Sequence, residues 1–353
     1  IHMMIDGREI EAEENSSVLE AALEAGIYIP HICSHPDLES LGGCKLCVVN
    51  IEGINGAVTS CKTIVKEGMK VYTKGERLDT IRRVAMELML AAHPHDCTTC
   101  KMYLHCEFQA MMQYTNAVNG RMRDVIKKTT FINVKNPLIV KEMERCIQCG
   151  RCIRVCKDVR KVGVLQLNKF QENNEIYVGT DGDVSLADAG CKFCSACVEV
   201  CPTGSLQDKS GVFCLELPRK QAYIPCSAEC PAHTDIPEYI RLVKEGKCSE
   251  ATAVIREKLS FPHSLGLVCT HACESKCKRG FLNDSLAIRD IKRYAIEHDT
   301  LEIWKKNFKK SPDTGKRIAV VGGGPAGMTA GLYLAKKGHD TTVFEQYENA
   351  GGY

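Results

Sequence analysis

Cysteines two or three residues apart recur along this chain and limit what it can fold into. Cys33, Cys44, Cys47 and Cys61 come first, and Cys97, Cys100 and Cys106 follow. Two runs of identical spacing come next, Cys146-x2-Cys149-x2-Cys152-x3-Cys156 and Cys191-x2-Cys194-x2-Cys197-x3-Cys201. Cys226, Cys230, Cys269, Cys273 and Cys277 close the series, and the chain has 22 cysteines in 353 residues. Such short gaps let neighbouring thiolates converge on one inorganic centre, as iron–sulfur ligation requires. A disulfide framework fits poorly, because cysteines this close rarely bridge each other and a chain this long needs no staples.

The remaining composition is that of a globular protein of two or more domains, 44% hydrophobic and 25% charged. With 46 basic against 44 acidic residues, net +2, there is no electrostatic footprint for nucleic acid. No apolar run approaches the roughly 18 residues of a membrane span. A soluble, cytoplasmic protein is expected, with Ile1-His2-Met3 read as a cloning remnant ahead of a native start at Met4.

The expected fold class is α+β and multidomain. Residues 4–78 open with a hairpin signal, Asp6-Gly7, and continue with a helix announced by the capping box Ser17…Glu20 and stopped by Gly26. Strands are expected at 48–51 and 69–72. One helix crossing a small mixed sheet, with C-x10-C-x2-C-x13-C at Cys33, Cys44, Cys47 and Cys61, resembles the β-grasp [2Fe–2S] domain of the complex I large subunit and its hydrogenase and formate dehydrogenase relatives. In residues 79–136 an amphipathic helix over 81–92 leads to His93-x3-Cys97-x2-Cys100-x5-Cys106. That order and spacing resemble the same family's [4Fe–4S] site held by one histidine and three cysteines. His95 and His105 are the local competitors of His93.

Residues 137–214 read as a two-cluster bacterial-type ferredoxin domain. In such domains the fourth cysteine of each run ligates the other cluster, which assigns Cys146, Cys149, Cys152 and Cys201 to one cube and Cys191, Cys194, Cys197 and Cys156 to its neighbour. Cys201 keeps the usual following proline, whereas Cys156 is followed by Lys157. A hairpin around 166–168 and 175–178 is expected between the runs. Cys214 and Cys248 have no motif and read as ordinary thiols.

Residues 215–310 look helical. Pro225-Cys226-x3-Cys230-Pro231 and Cys269-x3-Cys273-x3-Cys277 resemble the N-terminal iron–sulfur domain of the glutamate synthase small subunit and of dihydropyrimidine dehydrogenase. The family's further C-x2-C is missing here, so one [4Fe–4S] cube drawing four ligands from these five cysteines is expected, with tetrahedral zinc on four thiolates the alternative. A solvated basic linker, 305–316, precedes residues 317–353, read as a buried strand turning into a helix through Gly322-Gly323-Gly324-Pro325-Ala326-Gly327. Gly322 suits a tight turn, Gly324 the approach of a pyrophosphate, and Gly327 close helix packing. A second strand ends at Glu345, placed for a ribose hydroxyl. This resembles the first βαβ unit of the glutamate synthase flavin domain. With eight residues after Glu345, the unit reads as a truncated Rossmann-like domain that would hold FAD only in a longer chain.

Together the two resemblances imply the large subunit of an electron-bifurcating NADH-dependent reduced ferredoxin:NADP⁺ oxidoreductase. They imply one [2Fe–2S] and three [4Fe–4S] clusters with a fourth cube or zinc at 226–277, and no catalytic side chain of its own. The implied partners are an FMN- and NAD(H)-binding complex I-like subunit, a small [2Fe–2S] subunit and soluble ferredoxin. The alternatives are an electron-transfer subunit of a formate dehydrogenase or hydrogenase, and a non-redox zinc scaffold.

Overall fold

The computed structural model describes every residue except 95, 118–121, 123–124, 127, 129–135, 171–173, 210–222 and 353. The chain falls into two compact units, residues 1–217 and 218–353.

The first unit starts with strands β1 (His2–Ile5) and β2 (Arg8–Glu11), paired antiparallel. The turn between them takes left-handed φ at Asp6 and Gly7, 50° and 81°, which is what a two-residue hairpin with the strands' own twist needs. β1 begins two residues ahead of Met4. Met3 lies in the core, so the sheet takes in residues the sequence reading set outside the domain. Helix α1 (Val18–Glu24) carries the complete capping box, Ser17 Oγ accepting from the Glu20 amide and Glu20 from the Ser17 amide. Strands β3 (Val48–Ile51), β4 (Val58–Thr59) and β5 (Lys70–Tyr72) complete a mixed sheet of order β2-β1-β5-β3-β4. Val18, Leu19 and Ala22 of α1 share its core with Ile5, Val49, Val71, Cys47 and Cys61.

Helix α2 (Glu76–Leu90) begins five residues before the expected 81, directly after Gly75, with Glu76 and Asp79 in its first turn to suit the helix dipole. Its buried Arg82 donates to the Leu46 and Val48 carbonyls at 3.1 and 2.7 Å, tying α2 to the strand that follows Cys47. Helix α3 (Glu107–Tyr114) packs Phe108, Met111 and Met112 against Met86 and Leu90 of α2.

Strand β6 (Ile139–Lys141) leads into helix α4 (Arg151–Arg154), which runs on without a break into a π-helical turn, Val155–Val159, carrying Cys156. Lys157 stands where a proline would end the helix, and the chain continues. The expected hairpin is present as β7 (Gln166–Lys169) and β8 (Ile176–Gly179). Helix α5 (Ala196–Glu199) is followed by Cys201-Pro202 and then by β9 (Leu206–Asp208), which pairs antiparallel with β6 and closes this part of the unit.

The second unit is helical over its described part to 306: α6 (Pro225–Glu229), α7 (Ile236–Lys244), α8 (Cys248–Lys258), α9 (Pro262–Val268), α10 (Ala272–Ser275), α11 (Ile288–Glu297) and α12 (Ile303–Lys306). α12 takes up the first residues of the expected linker. Strands β10 (Arg317–Val321) and β11 (Asp340–Phe344) are parallel in register and joined by helix α13 (Pro325–Lys336). β10 is not buried as the sequence reading expected. Its residues alternate between exposed and half-buried, and Val321 is 88% exposed, because α13 covers one face of a two-stranded sheet and no described residue covers the other. No helix among the described residues is long and apolar enough to cross a membrane.

Candidate iron–sulfur sites

None of the described cysteines is joined in a disulfide, and their placement follows local backbone devices. Cys146 and Cys191 each open a C-x2-C turn in which the residue two positions on has left-handed φ, Gln148 at 55° and Phe193 at 52°. That conformation turns the Gln148 and Phe193 amides onto the Cys146 and Cys191 sulfurs at 3.4 Å each. Cys269 has the same turn: His271, φ 46°, donates its amide to the Cys269 sulfur at 3.4 Å. An N–H aimed at sulfur favours the thiolate and lowers the charge a ligand presents to its metal.

In the first domain the four thiols form two pairs. Cys33 and Cys44 are hydrogen-bonded to each other, and the Cys47 and Cys61 sulfurs lie 3.4 Å apart. The Cys44 thiol beside it pulls Cys33 down to about 5, helped by the Arg154 guanidinium, so this sulfur is readily a thiolate. Two sulfurs for each of two irons is the arrangement a [2Fe–2S] rhomb requires.

His93, Cys97, Cys100 and Cys106 line one pocket, with Leu90, Met102, Phe108, Arg145 and Thr203 among its walls. His93 is buried, and burial pushes its imidazole down to about 4, so it is neutral at physiological pH. Its Nδ1–H donates to the Pro94 carbonyl at 3.0 Å, which leaves the lone pair on Nε2. Nε2 is buried without a hydrogen-bond partner. A neutral imidazole with one nitrogen fixed by a carbonyl and the other bare among three thiols is a metal ligand's arrangement. His105 is exposed and does not line this pocket; His95 lies outside the described residues. Arg145 forks onto the Asp96 carboxylate at 2.9 and 2.7 Å and holds the segment before Cys97.

A second pocket is lined by Cys146, Cys149, Cys152 and Cys201, and a third by Cys156, Cys191, Cys194 and Cys197. Each run thus sends its fourth cysteine to the other's pocket. Burial pushes Cys149 up to about 12 and Cys191 to about 11, and it raises Cys152 and Cys197 well above the usual thiol range too. Bare thiols here stay protonated, so charge on these sulfurs must be compensated by the metal that displaces the protons. The first two pockets share Thr203. The Pro202 carbonyl accepts from the Cys106 thiol at 3.4 Å, and Cys152 and Cys197 lie within electrostatic reach of each other.

In the second unit burial raises Cys273 to about 12, and the thiols acting most strongly on it are Cys230, Cys226 and Cys269. The same four act on buried Tyr239, whose hydroxyl donates to the Ile288 carbonyl at 3.1 Å. Cys277 is not among the thiols that act most strongly on either group. Among the described residues no three His, Cys, Asp or Glu side chains close into a group that would hold a single metal ion. Tetrahedral zinc at about 2.3 Å per sulfur needs its thiolates only about 3.8 Å apart.

At the C-terminal βαβ unit Gly322 takes φ 101°, and a Cβ on Gly327 would lie 1.9 Å from the Gly322 carbonyl oxygen, so helix and turn touch through missing side chains. Gly324 faces open space, the nearest atom being Gly352 Cα at 3.9 Å from an added Cβ. Glu345 does not extend away from this turn. Its carboxylate accepts from the Gly323 amide at 2.6 Å and from Gln346 and Tyr347, and these amides hold its pKa below the usual range.

Fold and thiol sets define a multidomain α+β iron–sulfur polypeptide ending in the start of a Rossmann-like unit. Residues 1–76 match the 2Fe-2S iron-sulfur cluster binding domain, 82–121 the NADH-ubiquinone oxidoreductase-G iron-sulfur binding region, and 136–207 the ferredoxin-like domain of NADH-quinone oxidoreductase subunit 3. Residues 212–303 match dihydropyrimidine dehydrogenase domain II, 4Fe-4S cluster, and 320–353 an NAD(P)-binding Rossmann-like domain. The chain is similar to the NADPH-Fe(3+) oxidoreductase subunit alpha of Geobacter sulfurreducens, 33% identical over 65% of this chain and 26% of that one. It is 31% identical to the mitochondrial NADH-ubiquinone oxidoreductase 78 kDa subunit of Candida albicans, over 60% of this chain and 29% of that one. The chain therefore spans 26% and 29% of the length of these two relatives. A chain of the NAD+-reducing [NiFe]-hydrogenase crystal structure in its H2-reduced state superposes with TM-score 0.51 at 26% identity, covering 62% of this chain and 90% of that one. These relatives are oxidoreductase subunits.

Proposed function

We propose that this chain is an electron-relay subunit of a multi-subunit NAD(P)H-linked oxidoreductase, with one [2Fe–2S] cluster on Cys33, Cys44, Cys47 and Cys61 and three [4Fe–4S] clusters on the donor sets of the three pockets. A fourth cube sits on Cys226, Cys230, Cys269 and Cys273. When bound, such clusters supply one-electron redox chemistry. The chain's own residues hold geometry and tune charge: Arg145, Arg151, Arg154 and the buried amides fix the loops, and burial excludes water from the sulfurs.

The observation that carries this reading is the bare, buried Nε2 of His93 facing Cys97, Cys100 and Cys106. In the fuller reading the C-terminal unit begins an FAD domain, the partners are an FMN- and NAD(H)-binding subunit and a small [2Fe–2S] subunit, and the reaction is bifurcating transhydrogenation with soluble ferredoxin. The hydrogenase likeness supports a second reading, the electron-transfer subunit of a hydrogenase. Anaerobic isolation with native partners separates the two: NADP⁺- and ferredoxin-dependent oxidation of NADH supports the first, a co-purifying hydrogen-activating subunit the second. Colourless, zinc-loaded protein refutes both.

A further inference from the structure

Two arginines one turn apart on α4, Arg151 and Arg154, clasp the loop after Cys33. Arg151 is fully buried, donates to the Ser34 carbonyl at 2.8 Å and forks onto Glu107, the neighbour of Cys106, at 2.7 and 2.8 Å. Arg154 does something more specific. A single nitrogen, Nη2, donates to the Cys33 carbonyl at 2.6 Å and to the Cys149 carbonyl at 3.1 Å, while Nη1 donates to the Glu39 carbonyl. Its Nε is buried without a partner, and the adjoining Gly150 has only Leu41 and Arg154 itself within 4 Å of where a Cβ would stand. One guanidinium thus bridges the backbones of residues in two different thiol sets.

We propose that Arg154 is a positioning and potential-setting residue shared by the [2Fe–2S] site and the Cys146/Cys149/Cys152/Cys201 cube, a role that rests on reading Cys33 and Cys149 as cluster ligands. The guanidinium is permanently charged and planar, so it locks both ligand loops at a fixed separation and offsets the negative charge of both thiolate sets. Charge near a cluster and hydrogen bonding around its ligands are levers on its potential. A lysine in its place keeps the charge and loses the planar head, whose second nitrogen Nη1 holds the Glu39 carbonyl and fixes the direction of Nη2.

The test uses anaerobically purified protein with its partners, Arg154→Met and Arg154→Lys, iron and sulfide analysis, and redox titration followed by electron paramagnetic resonance. Arg154→Met is expected to shift the midpoint potentials of the [2Fe–2S] centre and this one cube to more negative values together, and to alter the magnetic splitting between them. Arg154→Lys is expected to restore both potentials but not the splitting. Unchanged potentials and splitting in Arg154→Met at full iron content overturn the proposal, as does a shift confined to one centre. If Arg154→Met loses iron, Arg154→Lys decides: splitting altered with potentials kept supports the role, splitting unchanged overturns it. A wild type lacking a [2Fe–2S] signal refutes the ligand reading instead, independently of either variant.

Discussion

Replacing Arg151 with Met removes a buried charge at the place where three thiol-bearing segments meet. The side chain is 2% exposed and makes three hydrogen bonds, two to Glu107 and one to the Ser34 carbonyl. Methionine keeps most of the volume, so cavity cost is small. The Ser34 carbonyl loses a charged donor in a buried setting, which costs about 2 kcal/mol. The Glu107 side chain is 52% exposed, so water replaces its partner and the ion pair itself contributes only about 1 kcal/mol. The total of about 3 kcal/mol corresponds to a fall of roughly 6–12 °C in the melting temperature of a unit this size. Loss of visible absorbance and of circular dichroism, scanned anaerobically at one fixed rate because unfolding that releases clusters is irreversible, reads it. Arg241→Met is the control, since Arg241 pairs with Glu238 and Glu245 on the surface and should not shift the transition. An Arg151→Met melting temperature within about 2 °C of wild type would show that the junction carries little of the unit's stability.

His93→Ala should delete one [4Fe–4S] signal from reduced electron paramagnetic resonance spectra, whereas His95→Ala and His105→Ala should leave all signals in place; an intact spectrum in His93→Ala removes the histidine from the ligand set. Iron analysis of fully loaded protein should give about 14 irons per chain from the first unit and about 18 with a cube in the second, and fewer than about 12 with zinc making up the difference would sink the relay. Cys273→Ser should cost the second unit its metal while Cys277→Ser retains it, and equal loss in both returns the choice among the five cysteines to the open. In a longer form of the protein that binds a dinucleotide, Gly324→Val should fold normally and lose the ligand, because the side chain enters open space over the turn. Gly327→Ala should instead disrupt the βαβ unit through its clash with the Gly322 carbonyl, seen as loss of circular dichroism as well as of ligand.

Features set by local spacing were legible in the sequence. The capping box at Ser17 and Glu20 and the Asp6-Gly7 turn each depend on residues whose relations are fixed by a few bonds of backbone. Helix α2 starts ahead of Ile81 because Gly75 and the acidic first turn begin it and Leu78 already lies on its buried stripe with Met86 and Leu90. The clasp of Arg151 and Arg154 was invisible, since it joins residues more than a hundred positions apart. Lys157 was noticed as a departure, but that a helix without its proline would widen into a π turn to carry Cys156 depends on packing no spacing rule encodes. The exposed alternation of β10 was missed because a hydrophobic strand motif implies two covered faces, and here one is covered.

The sequence invites division into separate modules, with residues 79–136 as one bead and 137–214 as the next. The tripeptide Cys201-Pro202-Thr203 argues against cutting there. Cys201 faces the pocket of the Cys146 run, the Pro202 carbonyl holds the Cys106 thiol, and Thr203 walls both pockets. Neither bead owns its boundary. A fragment ending at 136 would leave the His93 pocket open on one side, and grafting the two-cluster segment alone into another protein would expose Gly204, against which Met102 and Cys100 now pack. The two segments form one unit, two domains sharing one wall.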